Sequence, residues 1–157
     1  MRTMGVAVAV GLSVIVGRPL LLFRPPACQL LNAQEASKLM GFPVVVNAGD
    51  SARASFVCRY NRSETSFDGV EITYRVFSDG QAAHAAFPRW VIPVPPKPAT
   101  MTLIPVSGVG DEATVTHGSI VNSIHFRRGA VLVKMGTHPG ASDSALVAAG
   151  KTVAGRL

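Results

Sequence analysis

Four histidines, His84, His117, His125 and His138, and the adjacent carboxylates Asp111 and Glu112 are the side chains best able to do acid/base or metal chemistry in this sequence. Imidazole changes charge near neutral pH and ligates metals through a ring nitrogen, so such residues at close spacing would mark a zinc centre or a general base. The spacing does not converge: no two histidines stand as His-x-x-x-His, which would set two ligands on one face of a helix. The catalytic reading these residue types allow is a small envelope enzyme using His117 or His125 with Asp111. Against it stands a reading in which the histidines are exposed or singly hydrogen-bonded surface groups, with no metal and no cofactor expected.

Gly108-Val109-Gly110 ahead of Asp111 has some likeness to an ion-binding loop. A phosphate loop needs a lysine and a following helix, and a calcium loop needs carboxylates at alternate positions; this segment has neither. It reads instead as a turn in which the glycines take positive φ and Asp111 accepts backbone donors. No Gly-x-Ser-x-Gly occurs, so a serine hydrolase has no sequence anchor.

The feature best suited to contact is an aromatic and proline cluster, Phe87, Trp90, Ile92, Pro95 and Pro96. Pro93, Pro95, Pro96 and Pro98 stiffen a loop, and an apolar side chain beside a preorganised segment loses little entropy on docking. In the competing reading Trp90 closes the core beneath that loop. Arg127 and Arg128, expected at a hairpin tip, offer two charges to an acidic partner or to lipid headgroups.

The formal charge of +6 does not mark a nucleic-acid binder. Of the 15 Lys and Arg, Arg2, Arg18 and Arg24 precede Cys28 while all 9 acidic residues follow it, leaving 12 basic against 9 acidic, or +3. That remainder lacks the clustered basic stripe that phosphate backbones require. Arg2 followed by the apolar run at residues 5–16 has the form of an export signal. Gly17, Arg18 and Pro19 interrupt the run before the roughly 20 apolar residues that a bilayer about 30 Å thick demands. Residues 1–27 are therefore expected to be a signal peptide or an uncleaved amino-terminal anchor, with membrane contact only in the second case. Cys28 and Cys58 are the 2 cysteines. In an exported chain an even count reads as a disulfide, two buried free thiols being the alternative. A bond closing a loop of this length contributes roughly 3–4 kcal/mol in loop-entropy terms.

Behind these residues the sequence lays out its elements. Asn32 followed by Glu35 makes a capping box for a helix over Ala33–Met40, with Gly41 placed to end it in the left-handed conformation. Strands are expected at residues 43–47, 55–61 and 70–77. In the last, Val70, Ile72, Tyr74 and Val76 share one face and Glu71, Thr73 and Arg75 the other, the pattern of an antiparallel sheet with one wet face. Ser78 and Asp79 can cap a second helix over residues 80–87, ending near Pro88, with Trp90 beyond it. After the prolines, strands at 101–105, 113–117, 120–127 and 130–135 alternate with glycine turns, and Ser142 caps a closing helix over 143–157. A chain of 157 residues, 48% hydrophobic, can bury one core. The expected architecture is a single α+β domain over residues 28–157: an antiparallel sheet of about six strands with helices packed on one face, tied by one disulfide.

With the elements placed, several stretches carry a resemblance. Ala27-Cys28-Gln29-Leu30-Leu31, Glu35-Ala36, Gly41-Phe42-Pro43-Val44 and Phe56-Val57-Cys58-Arg59-Tyr60 lie in the first half, and Gly108-Val109-Gly110-Asp111-Glu112-Ala113 and Phe126-Arg127-Arg128-Gly129 precede the closing helix. Together they resemble a widespread class of small exported bacterial proteins of unknown function. More loosely, they are similar to actinobacterial cell-envelope lipoproteins and to the external sensor domain of a mycobacterial serine/threonine kinase. The resemblance implies an extracytoplasmic, disulfide-linked α+β domain with no catalytic residues to carry over. The amino terminus departs from the lipoprotein pattern, since Pro25 and Pro26 stand where small residues belong. The function expected is a non-catalytic binding or interaction module in the periplasm or at the cell surface, its partner an envelope protein or a small ligand.

Overall fold

After Pro26 the chain makes one helical turn, α1 (Ala27–Leu30), and then a full helix, α2 (Ala33–Met40). The second begins by reciprocal capping: Asn32 Oδ1 accepts the Glu35 backbone N–H and Glu35 Oε2 accepts that of Asn32, each at 2.9 Å. It ends where Gly41 turns to φ 74° and returns its N–H to the Ser37 carbonyl. The computed structural model describes residues 26–47, 51–52, 55–92 and 100–157. The export-signal run, the turn at 48–50 and the prolines of the stiff loop, Pro95 and Pro96 among them, lie outside the described residues.

Four strands follow: β1 (Val45–Asn47), the two-residue β2 (Ser51–Ala52), β3 (Ser55–Asn61) and β4 (Gly69–Val76). Helix α3 (Gly80–Val91) then leads to β5 (Thr102–Val106), β6 (Glu112–His117), β7 (Asn122–Arg128), β8 (Val131–His138) and a last helix, α4 (Asp143–Ala154). All pairings are antiparallel, in the order β1-β3-β4-β8-β7-β6-β5, with β2 beside β3. The fold is α+β as expected, with seven strands on the main path of the sheet where about six were expected.

A single register line shows how the sequence makes its core. Cys58, Ile72, Met135, Ile124 and Val115 stand opposite one another across β3, β4, β8, β7 and β6, and all are fully buried. Side chains alternate along a strand, so this row lies on one face. Helices α1, α2 and α4 cover it with Leu30, Leu31, Leu39, Leu146 and Val153.

Cys28 on α1 joins Cys58 on β3 in the expected disulfide, with a Cα–Cα distance of 5.2 Å. Fully buried Tyr60 closes the same junction, its hydroxyl donating to the Leu31 carbonyl and, at 3.1 Å, to that of Cys28. Burial pushes that hydroxyl up to about 12, so it stays protonated and remains a donor. One isolated helical turn with no side-chain cap is unstable by itself; here the bond and Tyr60 hold it.

Helix α3 lies on the opposite face, a departure from the expected placement of the helices on one side. Leu132 alternates with Val131 and Val133 and so points away from the main core. Ala83, Phe87 and Val91 recur every fourth residue on α3 and bury it. Phe87, expected on a contact surface, is therefore interior, only 7% exposed. The helix also runs a turn past its expected end, with Pro88 inside it and the Ile92 N–H donating to the Pro88 carbonyl at 3.0 Å. Pro88 lacks a donor and its ring crowds the carbonyl one turn earlier; the packing of Trp90 and Val91 onto the same apolar cluster offsets that cost. Trp90 thus belongs to the helix instead of following it. No helix among the described residues is long and apolar enough to cross a membrane.

Candidate functional site

The residues of the catalytic reading are held apart. His117 ends β6 on the main-core face, where its Nε2 meets Asp143 Oδ1 of α4 at 2.6 Å. His125 points from β7 to the other face, buried, with Thr116 Oγ1 3.4 Å from its Nε2. Asp111 lies at the far end of β6 from His117, roughly 20 Å away along the strand at about 3.3 Å per residue.

Asp111 accepts from Arg127 Nη1 at 2.8 Å and from the Gly129 backbone N–H at 2.7 Å, the turn role expected of it. Its neighbour Glu112 accepts from Arg127 Nε at 2.5 Å and stands 2.8 Å from His84 Nδ1. Burial pushes the Glu112 carboxyl up, but the hydrogen bonds from His84 and Arg127 outweigh it and hold the group below its ordinary value. Arg127 and Arg128, read as charges offered at a hairpin tip, are engaged with these two carboxylates. His138 pairs with Asp68 at 3.2 Å. Among the described residues no three His, Cys, Asp or Glu gather closely enough to hold a metal ion.

The described arginines divide into two sets. Arg59, Arg62, Arg127, Arg128 and Arg156 each have a carboxylate within 4.0 Å. Arg75 and Arg89 have no such partner among the described residues, and both line one groove of about 480 Å³ beside α3. The sheet side of the groove is Arg75 and Phe77; the helix side is Ala82, Ala85, Ala86, Arg89 and Trp90.

The helix period explains the groove. Ala82, Ala86 and Arg89 recur at steps of three and four and form a stripe beside the buried Ala83, Phe87 and Val91. Methyl groups cannot fill the space down to the sheet, and α3 packs mainly on β7 and β8, which leaves β4 open beside it. Arg75 Cζ lies 5.1 Å from the centroid of the Phe77 ring, two residues along on the same face. Among the described residues no carboxylate lines the groove, so none of them offsets its charge locally.

Of the residues expected on a contact surface, Trp90 does two things: it packs on the α3 cluster and also walls the groove. Ile92 packs half-buried at the helix end. Trp90 Nε1 and His125 Nδ1 are buried without a partner among the described residues. A second cavity, about 290 Å³ between α2 and α4, is walled by Leu31, Leu39, Ala145 and Ala149. Lys38 and Thr152 line it too, and its carboxylate, Glu35, is held by Arg156. Sequence reasoning missed Arg75 and Arg89; the available signal was Arg75 and Phe77 on the wet face of a strand ahead of an alanine-striped helix.

No protein-family model matches this chain, and no curated protein matches it.

Proposed function

We propose that this protein is an exported, non-catalytic binding module whose contact surface is the groove along α3. The observation that carries the reading is the pair Arg75 and Arg89, left without carboxylates beside Phe77 and Trp90 while the other described arginines are paired. A concave, largely apolar surface with a few converging polar groups is the form of a ligand site, and two uncompensated cations bias it toward negative charge. The separation of His117, His125 and Asp111 speaks for binding over catalysis, because a base and the group it serves must be within hydrogen-bond reach. Export is supported by the apolar run behind Arg2, by the Cys28–Cys58 bond, which persists in oxidising compartments, and by the resemblance to exported proteins. The partner is an envelope protein or a small ligand in the periplasm or at the cell surface.

Trp90 is the only tryptophan, so its indole resonance is a single, unambiguous reporter beside this surface. In an NMR titration with a library of charged and neutral fragments, shifts should gather on the Trp90 indole and the methyls of Ala82, Ala85 and Ala86. Shifts confined to the α2–α4 cavity, or scattered evenly over the molecule, would refute the assignment.

A further inference from the structure

We infer that the α3 groove takes a small organic anion with a planar aromatic body, its carboxylate or phosphate held by Arg75 and Arg89. This names the ligand class of the surface proposed above and rests on that reading. The volume of about 480 Å³ lies within the roughly 300–1,000 Å³ of small-molecule sites. Guanidinium presents its N–H donors in a planar fork that matches carboxylate and phosphate oxygens. In this groove both forks are unengaged by any carboxylate among the described residues, so no internal ion pair has to be broken first. The opposite requirement, an apolar body, comes from the rest of the lining. Ala82, Ala85 and Ala86 make a smooth strip without protruding side chains, and Phe77 and Trp90 supply ring surfaces against which an aromatic group gains offset or edge-on contacts. An inorganic ion would leave that strip bare, and a neutral aromatic would leave both cations without a partner.

Three probes separate these contributions: 2-naphthyl phosphate, inorganic phosphate and 2-naphthol, titrated calorimetrically into the full oxidised domain while the Trp90 indole resonance is followed. 2-Naphthyl phosphate should bind and shift the indole, with inorganic phosphate and 2-naphthol each weaker by about tenfold or more. Arg75→Gln with Arg89→Gln should weaken 2-naphthyl phosphate by about tenfold or more and change 2-naphthol by less than about twofold. Arg89 and Arg75 are exposed, so the double variant should keep its fold, which its unfolding midpoint checks. Ala85→Glu, which sets a carboxylate in the groove, should weaken the anion similarly. Equal binding of 2-naphthol and 2-naphthyl phosphate, unchanged in the double variant, overturns the inference. So does tighter binding of a tetraglutamate peptide than of 2-naphthyl phosphate, which would make the groove a protein-docking surface. If library fragments register on the groove but 2-naphthyl phosphate does not bind, the ligand class fails and the binding surface stands; if neither registers, both fail.

Discussion

Arg156 donates from Nη1 and Nη2 to the two carboxylate oxygens of Glu35, at 2.7 and 2.5 Å, so the last turn of the chain grips the first full helix across 121 positions. Arg156 Nη1 also reaches the Leu30 carbonyl at 2.9 Å, and Glu35 is itself the partner of Asn32 in the capping box of α2. One ion pair therefore ties α1, α2 and the chain end. Both side chains keep about a third of their surface exposed, which screens the pair, and Arg156→Ala should cost about 1 kcal/mol in urea unfolding. The Arg156 hydrogen bond holds the Glu35 carboxyl below its ordinary 4.5, although burial pushes it up. A carboxyl depressed in the fold stabilises above its unfolded value and loses that contribution as pH falls through the folded one. Below pH 4.5 the native protein should accordingly lose stability more steeply than Arg156→Ala, and parallel curves would show that the pair contributes nothing.

His125 acts in a different window. Burial, and then the charge of Lys134, push its imidazole from 6.5 down to about 3, so it is neutral in the fold and takes up its proton more readily when unfolded. Its contribution is complete above pH 6.5 and is lost as pH falls toward 3, at up to about 1.4 kcal/mol per pH unit. His125→Gln should flatten the stability curve between pH 6.5 and about 5.5, a pH unit above the ordinary value of Glu35. A slope that survives the substitution would place the titrating group elsewhere.

Gly110 has φ 59°, and a Cβ there would lie 2.2 Å from the Arg127 carbonyl oxygen, which accepts the Asp111 backbone N–H at 2.8 Å. Gly110→Ala should destabilise by about 2–4 kcal/mol, combining left-handed strain with a backbone clash. Gly155→Ala is the control. At φ −70°, with nothing nearer than 3.5 Å to an added Cβ, it should be neutral or stabilising by a few tenths of a kcal/mol. Equal unfolding midpoints for the two variants would contradict the turn geometry.

Removing the disulfide by Cys28→Ala with Cys58→Ala should cost roughly 3–4 kcal/mol. The loss should concentrate at α1, which the bond and Tyr60 hold in place. Hydrogen exchange should show residues 27–31 losing protection before β4 and β8, whereas uniform loss would mean that the bond acts on the whole fold at once.

Local physics made much of this fold legible. The Asn32–Glu35 capping box with Gly41, and the alternation through β3 and β4, each concern neighbours a few residues apart, and those elements form where expected. Long-range partners decided what was not legible. Four residues of α1 carry no helix signal and depend on Cys58 and Tyr60. The face chosen by α3 depends on Leu132, 45 positions after Phe87, which hides a phenylalanine that looks like a contact residue. Likewise, Arg127 and Arg75 are equivalent as sequence; only the fold brings Asp111 and Glu112 to the first and leaves the second beside Phe77 and the alanines of α3.

The claim of an exported domain closed between Cys28 and Cys58 is tested most directly by intact mass of the protein recovered from the extracytoplasmic fraction of its native cell, alkylated with and without reduction. The expected species is shortened by about 17–27 amino-terminal residues and takes up two alkyl groups only after reduction. A full-length chain found only in the cytoplasm, alkylated on both cysteines without reductant, would contradict it.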